Sequence, residues 1–503
     1  MTTALNIGNR RELFVDRWLV ERMENVSLRL HEPVSGGVAI RLDKPWEGTA
    51  NFGFSVFPHG GRFLMYYRAM TVEQGDNGVL CVATSDDGVT WTKPALGLVE
   101  RAGRRDTNVT ACPFGAIPWL DTRPGVPGNE RIKVITSEPL SGEKHTAHAD
   151  PAGPKRLGFW VSADGFTFRK LDPQPEFVSN LRNCFDGGNT MFWSEAEQQY
   201  VLYYRFCDIY EGKKGIYRRT IARTTSKDLL HWTESVPMSY GDTPREQFYT
   251  NNTEPYFRAP HLYIAPAARF MEGRRVVTDA QVEAMALKTC RGVYGNDCSD
   301  TVLLTKLIKA KAPGWRCNDC SDAVLLTSRA GSMQYDRTFM EAFIRPGLGA
   351  SNWVSRTNYP LTGILPCGPD QMMLFVSRHY IQESWHIERL LLRTDGFASV
   401  TAPWAGGEML TKSFMFTGNQ LEINYRTSAP GFVRVEIQNA AGKPIPGYTL
   451  DDCPEIIGDE IERIVVWKQG ADVSKLAGQP VRLRFVMKDA DLFALQFRSQ
   501  NGA

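Results

Sequence analysis

Three acidic residues carry the chemistry this chain could do. Asp186 lies in Phe185-Asp186-Gly187-Gly188-Asn189, where two glycines let a ligand or another strand come close before the text turns strand-like. Glu254 lies in YTNNTEPYFRAPH, Tyr249 to His261, which gathers the Asn, aromatic, Arg and His side chains that hold sugar hydroxyls and ring faces. Glu47 follows Trp46 just ahead of an apolar strand. Two carboxyl groups can split an acetal: one protonates the leaving oxygen while the other attacks or activates water. Asp186, Glu254 and Glu47 are therefore the candidate catalytic acids. Asn189, Tyr249, Asn252, Arg258, His261, Arg68 and Arg205 are the candidate substrate contacts. Each acid also has a plainer reading, since an Asp in a Gly-rich corner stabilises turns and a Glu beside Gly suits a surface loop.

The elements that must position these acids are announced by a repeat. SDDGVTW (Ser85 to Trp91) returns as SADGFTF (Ser162 to Phe168), as SKDLLHW (Ser226 to Trp232) and, decayed, as RTDGF (Arg393 to Phe397). Apolar strands precede three copies: LMYYR ending at Arg68, KVITS ending at Ser137 and VLYYR ending at Arg205. A fixed-order unit recurring roughly every 60 to 80 residues predicts a β-propeller, each blade a four-stranded sheet. Five blades can be counted, opening near Phe52 to Phe57, Thr107 to Val109, Phe185 to Asn189, Tyr249 to Tyr263 and Asn358 to Pro360. A closing strand is expected within residues 12–31. Inner strands start at the central axis, so Asp186, Glu254 and Glu47 should converge there. Asp87, Asp164 and Asp228 of the repeat are expected to shape turns. After residue 400 the text alternates cleanly, which predicts an antiparallel β-sandwich. The expected architecture is all-β: a catalytic five-bladed propeller over 1–400 and a sandwich over 401–503 that packs or binds carbohydrate.

Composition narrows the partners. The chain has 503 residues, a net charge of +2, 42% hydrophobic and 23% charged residues, which gives no reason to expect nucleic acid or an anionic membrane. The start, MTTALNIGNRRELF, lacks the apolar core of a signal peptide, so a cytoplasmic location is expected, or a secreted one if a leader was removed. Six of the ten cysteines, Cys207 among them, read as buried reduced thiols. Cys290, Cys298, Cys317 and Cys320 include a Cys-x-x-Cys ending. NDCSDTVLLT and NDCSDAVLLT are nearly identical, however, so a local duplication explains them, and no metal or cofactor is expected. A helical pattern stands out only at Thr278 to Leu287.

In blade count, placement of acids and C-terminal sandwich, the chain resembles the five-bladed propeller glycoside hydrolases of families 32 and 43. FDGGNTMFW, ARTTSKDLLHW and YFRAPHLYIAPAARF look like phrases of bacterial family 32-like proteins. The resemblance implies an Asp in the first blade, an Asp in a middle blade and a Glu as general acid. Asp186 takes the middle place and Glu47 stands near the first. The Trp-Met-Asn-Asp-Pro, Arg-Asp-Pro and Glu-Cys motifs of family 32 are absent, so fructan cleavage is not implied. Ser-x-Asp-Gly-x-x-Trp is similar to the Asp-box of sialidases, which makes a sialidase-like hydrolase an alternative. A non-catalytic carbohydrate-binding propeller is another, with Asp121-Thr122-Arg123-Pro124-Gly125 as part of its surface. The expected partner in every case is a carbohydrate.

Overall fold

The computed structural model describes residues 4–49, 51–70, 78–113, 117–140, 153–209, 217–285, 319–354 and 356–499. Five sheets stand around one axis as the blades of a β-propeller, and a ten-stranded sheet forms a second unit. The first blade runs through Phe52–His59, Arg62–Ala69 and Val79–Ser85. Thr107 to Val109 do not open the second blade. Val82 N–H donates to the Asn108 carbonyl and Thr110 N–H to that of Leu80, so this stretch edges the first blade. The second blade instead opens at Ile117–Leu120 and continues through Ile132–Pro139 and Lys155–Ser162. The third comprises Thr190–Ser194, Gln199–Ile209, Tyr217–Ser226 and Val236–Pro237; the fourth, Glu254–Tyr256, Ala259–Met271 and Cys320–Arg329. The fifth comprises Tyr359–Pro360, Leu365–Pro366, Gln371–Arg378 and His386–Arg393. Middle strands face a neighbouring blade on both sides. LMYYR and VLYYR are accordingly apolar throughout rather than alternating, with Leu64 to Tyr67 and Tyr200 to Tyr204 at most 1% exposed.

The strand that completes the fifth blade is Val34–Arg41, paired with His386–Arg393, not a strand within residues 12–31. Residues 5–30 belong to the other sheet: Glu12–Leu13 pairs with Val481–Arg498, Val20–Glu24 with Gly407–Thr411, and Ser27–Leu30 with Ala398–Ala402. Alternation explains the choice, because this segment has two apolar faces. Phe14 and Val20 enter the sandwich core with Trp467 and Phe485. Leu13 and Val15 pack instead with Tyr256, Phe343 and Leu374 of the fourth and fifth blades. Gln420–Asn439 and Val481–Arg498 pair along nearly their whole lengths and form the spine of the sandwich. The helix expected at Thr278 to Leu287 is seen at Asp279–Ala284. Cys290, Cys298, Cys317 and the first duplicated copy lie outside the described residues. Cys207, expected as a reduced thiol, is disulfide-bonded.

The repeat closes seams between blades. Asp164 accepts hydrogen bonds from the Phe166 and Thr167 N–H groups at 2.8 and 3.0 Å and from the Ser162 hydroxyl at 2.9 Å. Gly165, at φ +81°, sits where a Cβ would lie 2.3 Å from the Tyr66 hydroxyl of the first blade, and that hydroxyl donates to the Gly165 carbonyl. Trp91 likewise meets Phe375 of the fifth blade edge-on, and Trp232 meets Phe159 of the second. The decayed copy has become a hinge-pin between the units: Asp395, fully buried, accepts from Tyr256, Arg11 and Asn424. Asp164→Ala should therefore cost about 1–2 kcal/mol of folding free energy by freeing two backbone donors. Urea unfolding checks this, and ligand binding at the axis should be unchanged.

Candidate functional site

The inner strands of the five blades surround a cavity of about 250 Å³ on the axis, just below the usual range of small-molecule pockets (about 300–1,000 Å³). It is lined by Phe52, Phe54 and Arg68 of the first blade, Ile117, Ser137 and Lys155 of the second, and Asn183 to Asn189 (Cys184 excepted) at the entry to the third. Tyr249, Thr250 and Asn252 enter from the fourth blade, and Tyr359, Pro360 and Thr362 from the fifth. The wall is thus aromatic with interspersed amide and hydroxyl groups, which suits a ligand with both apolar faces and hydroxyls.

Asp186 is the carboxylate on this wall. Its approach is set by a strained corner: Asn183 and Phe185 have φ of +49° and +60°. For Phe185 such a conformation costs on the order of 1–3 kcal/mol and has to be held by its surroundings. Here Phe185 N–H donates to the Arg205 carbonyl at 3.0 Å, Asn189 donates to the Phe185 carbonyl at 3.0 Å, and the ring packs 4.5 Å from that of Tyr204. Gly187 (φ +85°) and Gly188 press against the fourth blade, where added Cβ atoms would lie 2.6 Å from the Tyr249 carbonyl oxygen and 2.9 Å from Thr250 Cβ. The result is a carboxylate 43% exposed to the cavity and ion-paired with the buried Arg205. Its depth in the molecule works to raise its pKa, but the charges of Arg205, Lys155, Arg356 and Arg219 outweigh that and hold it below the ordinary carboxylate value. Asp186 is thus ionised at neutral pH.

The glycine contact gives a direct test. Gly187→Ala forces a side chain into a left-handed backbone position and onto the Tyr249 carbonyl, so it should lose about 1–3 kcal/mol of stability and most ligand binding. Gly125→Ala shares the left-handed φ (+79°) with nothing within 4 Å of the added Cβ, and should keep binding. Melting curves and calorimetric titration of the two variants separate the contact from the backbone term.

Glu254 begins the strand Glu254–Tyr256, two residues beyond the cavity-lining Asn252, and is not itself among the residues that line the cavity. Its carboxyl accepts N–H bonds from Gly363 and Ile364 at 3.1 and 2.6 Å, immediately after the cavity-lining Thr362. Burial pushes its pKa up to about 8, against the lowering pull of those two N–H groups. Asp186 and Glu254 therefore differ in protonation at pH 7.

The other sequence candidates divide cleanly. Asn189, Tyr249, Asn252 and Arg68 line the cavity, and Arg205 backs Asp186. Arg68 stacks over Phe52, 4.5 Å from the ring centre. Glu47 does not join them. It is fully buried, taking the Tyr67 hydroxyl at 2.6 Å, the Asp43 and Lys44 N–H groups, and Lys93 at 2.7 Å. The same Tyr–acid–cation staple recurs as Tyr200–Asp121–Lys133 and Tyr263–Glu197–Arg223, so Asp121 also serves the seams. Arg258 pairs with Asp395 and Glu462 at 3.2 and 2.9 Å, and His261 with Glu12 at 3.0 Å, all at the junction with the sandwich. Sequence reasoning missed Lys155, Arg219, Arg356 and Tyr359. Arg219, in IYRRTIAR one strand after VLYYR, carried a signal in its doubled arginine; the others carried none.

No protein-family model matches the chain, and no curated protein does. Among solved structures it is similar to one described as a glycoside hydrolase, at 12% identity, covering 72% of this chain and 92% of that one with a TM-score of 0.44. It is also similar to an N-acetylgalactosamine deacetylase from F. plautii in complex with blood group B trisaccharide, at 12% identity, 74% and 96% coverage and a TM-score of 0.44. A third is an exo-inulinase from Aspergillus awamori, at 11% identity, 94% and 99% coverage and a TM-score of 0.36.

Proposed function

We propose that this protein is a glycoside hydrolase in which Asp186 is the ionised carboxylate and Glu254 the protonated acid. The observation that carries the reading is Asp186, a carboxylate kept ionised by four cations yet open to an aromatic-walled axial cavity. A sugar ring stacked on the wall would present its anomeric carbon to Asp186, which attacks it or activates water. Glu254, holding its proton up to about 8, would protonate the leaving oxygen. Asn189, Asn252, Thr250 and Thr362 supply donors and acceptors for ring hydroxyls. The test is hydrolysis of a panel of aryl glycosides by the wild type, Asp186→Asn and Glu254→Gln. Cleavage by the wild type and its loss in each variant, with unchanged melting, is the expected result.

One observation favours the non-catalytic binding reading: both N–H bonds of Glu254 tie the fourth blade to the fifth. Sugar binding without cleavage of any panel member would establish it.

A further inference from the structure

Lys155 has donors to spare at the axis. It opens the strand Lys155–Ser162 of the second blade, paired with Pro139 and Ser179, and lines the cavity with only 8% of its surface exposed. An ammonium carries three N–H groups. Among the described residues one of them has an acceptor, the Cys184 carbonyl at 2.9 Å. Pinning one carbonyl is work a neutral amide could do. A buried ammonium is costly to leave short of acceptors. Its other two donors are therefore answered from the open side, by solvent in the free protein and by ligand oxygens in a complex.

Two further observations place those donors where a ligand would be held. The bond to Cys184 ties Lys155 to the corner, residues 183–185, that delivers Asp186. Burial works to raise the pKa of Asp186, and among the cations that oppose it Lys155 acts most strongly after Arg205. From the fifth blade comes Tyr359, 1% exposed, its ring 5.7 Å from that of Phe52 and 5.1 Å from that of Tyr249. Its hydroxyl is a further donor with no partner among the described residues. Uncommitted donors from two blades and the acceptor Asp186 thus line one aromatic-walled space.

We propose that Lys155 is a ligand-binding residue of the axial site: its two remaining N–H groups donate to neighbouring oxygens of a sugar ring and hold that ring beside Asp186. The inference rests on the carbohydrate part of the functional reading and not on hydrolysis. Lys155 decides which hydroxyl pattern is accepted, because a ring lacking the matching oxygen leaves a buried ammonium unanswered. The aromatic wall, by contrast, accepts any ring with an apolar face.

Calorimetric titration of the full chain with the methyl glycosides of D-glucose, D-galactose, D-xylose and L-arabinose identifies the parent sugar, and its monodeoxy analogues then locate the contact. At least one analogue is expected to bind wild type about ten- to a hundredfold more weakly than the parent. Lys155→Met should weaken the parent by the same factor and bind that analogue no worse than wild type does, so that the two losses do not add. A lysine that served the blades alone would lower the affinity of parent and analogues equally. Lys155→Arg keeps the charge and a donor for Cys184 but sets its other donors farther out, and it carries the comparison if Lys155→Met does not fold. It should shift the sensitivity to a different hydroxyl. Equal affinity of wild type and Lys155→Met for the parent, an equal loss for every analogue, or no binding of any of the four glycosides overturns the proposal. Where only Lys155→Arg folds, wild-type selectivity in that variant overturns it as well. Coupling with no cleavage of aryl glycosides retires the hydrolase reading alone. Cleavage without coupling retires this one alone.

Discussion

Asp186→Asn is expected to abolish the proposed glycoside hydrolysis while leaving the protein folded and able to bind ligand. The substitution keeps shape and a hydrogen-bond acceptor for Arg205 but removes the charge that, in the proposed reaction, attacks carbon or takes a proton from water. The expected loss in kcat/KM is roughly 10³-fold or more. The Asp186 side chain is 43% exposed to the cavity and Asn keeps an acceptor for the buried Arg205, so the melting temperature should move little. Ligand affinity, read by titration, should change far less than rate. Residual activity within tenfold of wild type would remove Asp186 from the chemistry.

Glu254→Gln has two expected effects, and pH separates them. As the proposed general acid, Glu254 would have to carry its proton, so wild-type kcat should fall as pH rises through about 8. The Gln variant should lose most activity at every pH on substrates with poor leaving groups, and much less on activated aryl glycosides. Stability follows a linked course. The folded carboxyl holds its proton up to about 8, whereas the unfolded one releases it near the ordinary carboxyl value, so in between the folded state binds one proton more. Wild-type stability is therefore fully present below the unfolded pKa and declines by about 1.4 kcal/mol per pH unit until about 8. Gln has the shape of the protonated acid and cannot titrate. It should match wild type in stability near pH 5 and exceed it at pH 9. Denaturant unfolding at the two pH values decides, and parallel curves would show that Glu254 is not a buried, protonated acid.

The propeller was legible because its repeat is a local physical unit. Asp164 and Asp87 fold their turns with bonds that span only three residues, so Ser-x-Asp-Gly survives as text. Asp186 was legible for a similar reason: Gly187 and Gly188 mark a close backbone approach that few other residues allow. What could not be read was assembled across blades. Lys155, Arg219, Arg356 and Tyr359 come from four separate strands or loops, and nothing in their own segments says that they meet. Glu47 misled because a buried Glu answered by Tyr67 and Lys93 looks, in one dimension, like an exposed Glu beside a strand. His261 and Arg258 misled differently. They share the Asn- and aromatic-rich segment of Tyr249 and Asn252, but alternation and a tight turn carry them to the sandwich junction.

The placement of the first forty residues bears on how the molecule is made. Val34–Arg41 is the outer strand of the fifth blade, and residues 5–30 are strands of the sandwich, so both find their partners only from His386 onward in the chain. At about 5–20 residues per second, the ribosome needs roughly 20 to 70 seconds to pass from Arg41 to His386. Through that interval the head of the chain waits with apolar strands and open edges, a period in which chaperones or self-association compete for it. Blades two to four have all their own strands and can form earlier, so the ring stays ajar until the tail arrives and the same short segment latches both units at once. A protein lacking its first forty residues would thus begin folding normally and fail at the end.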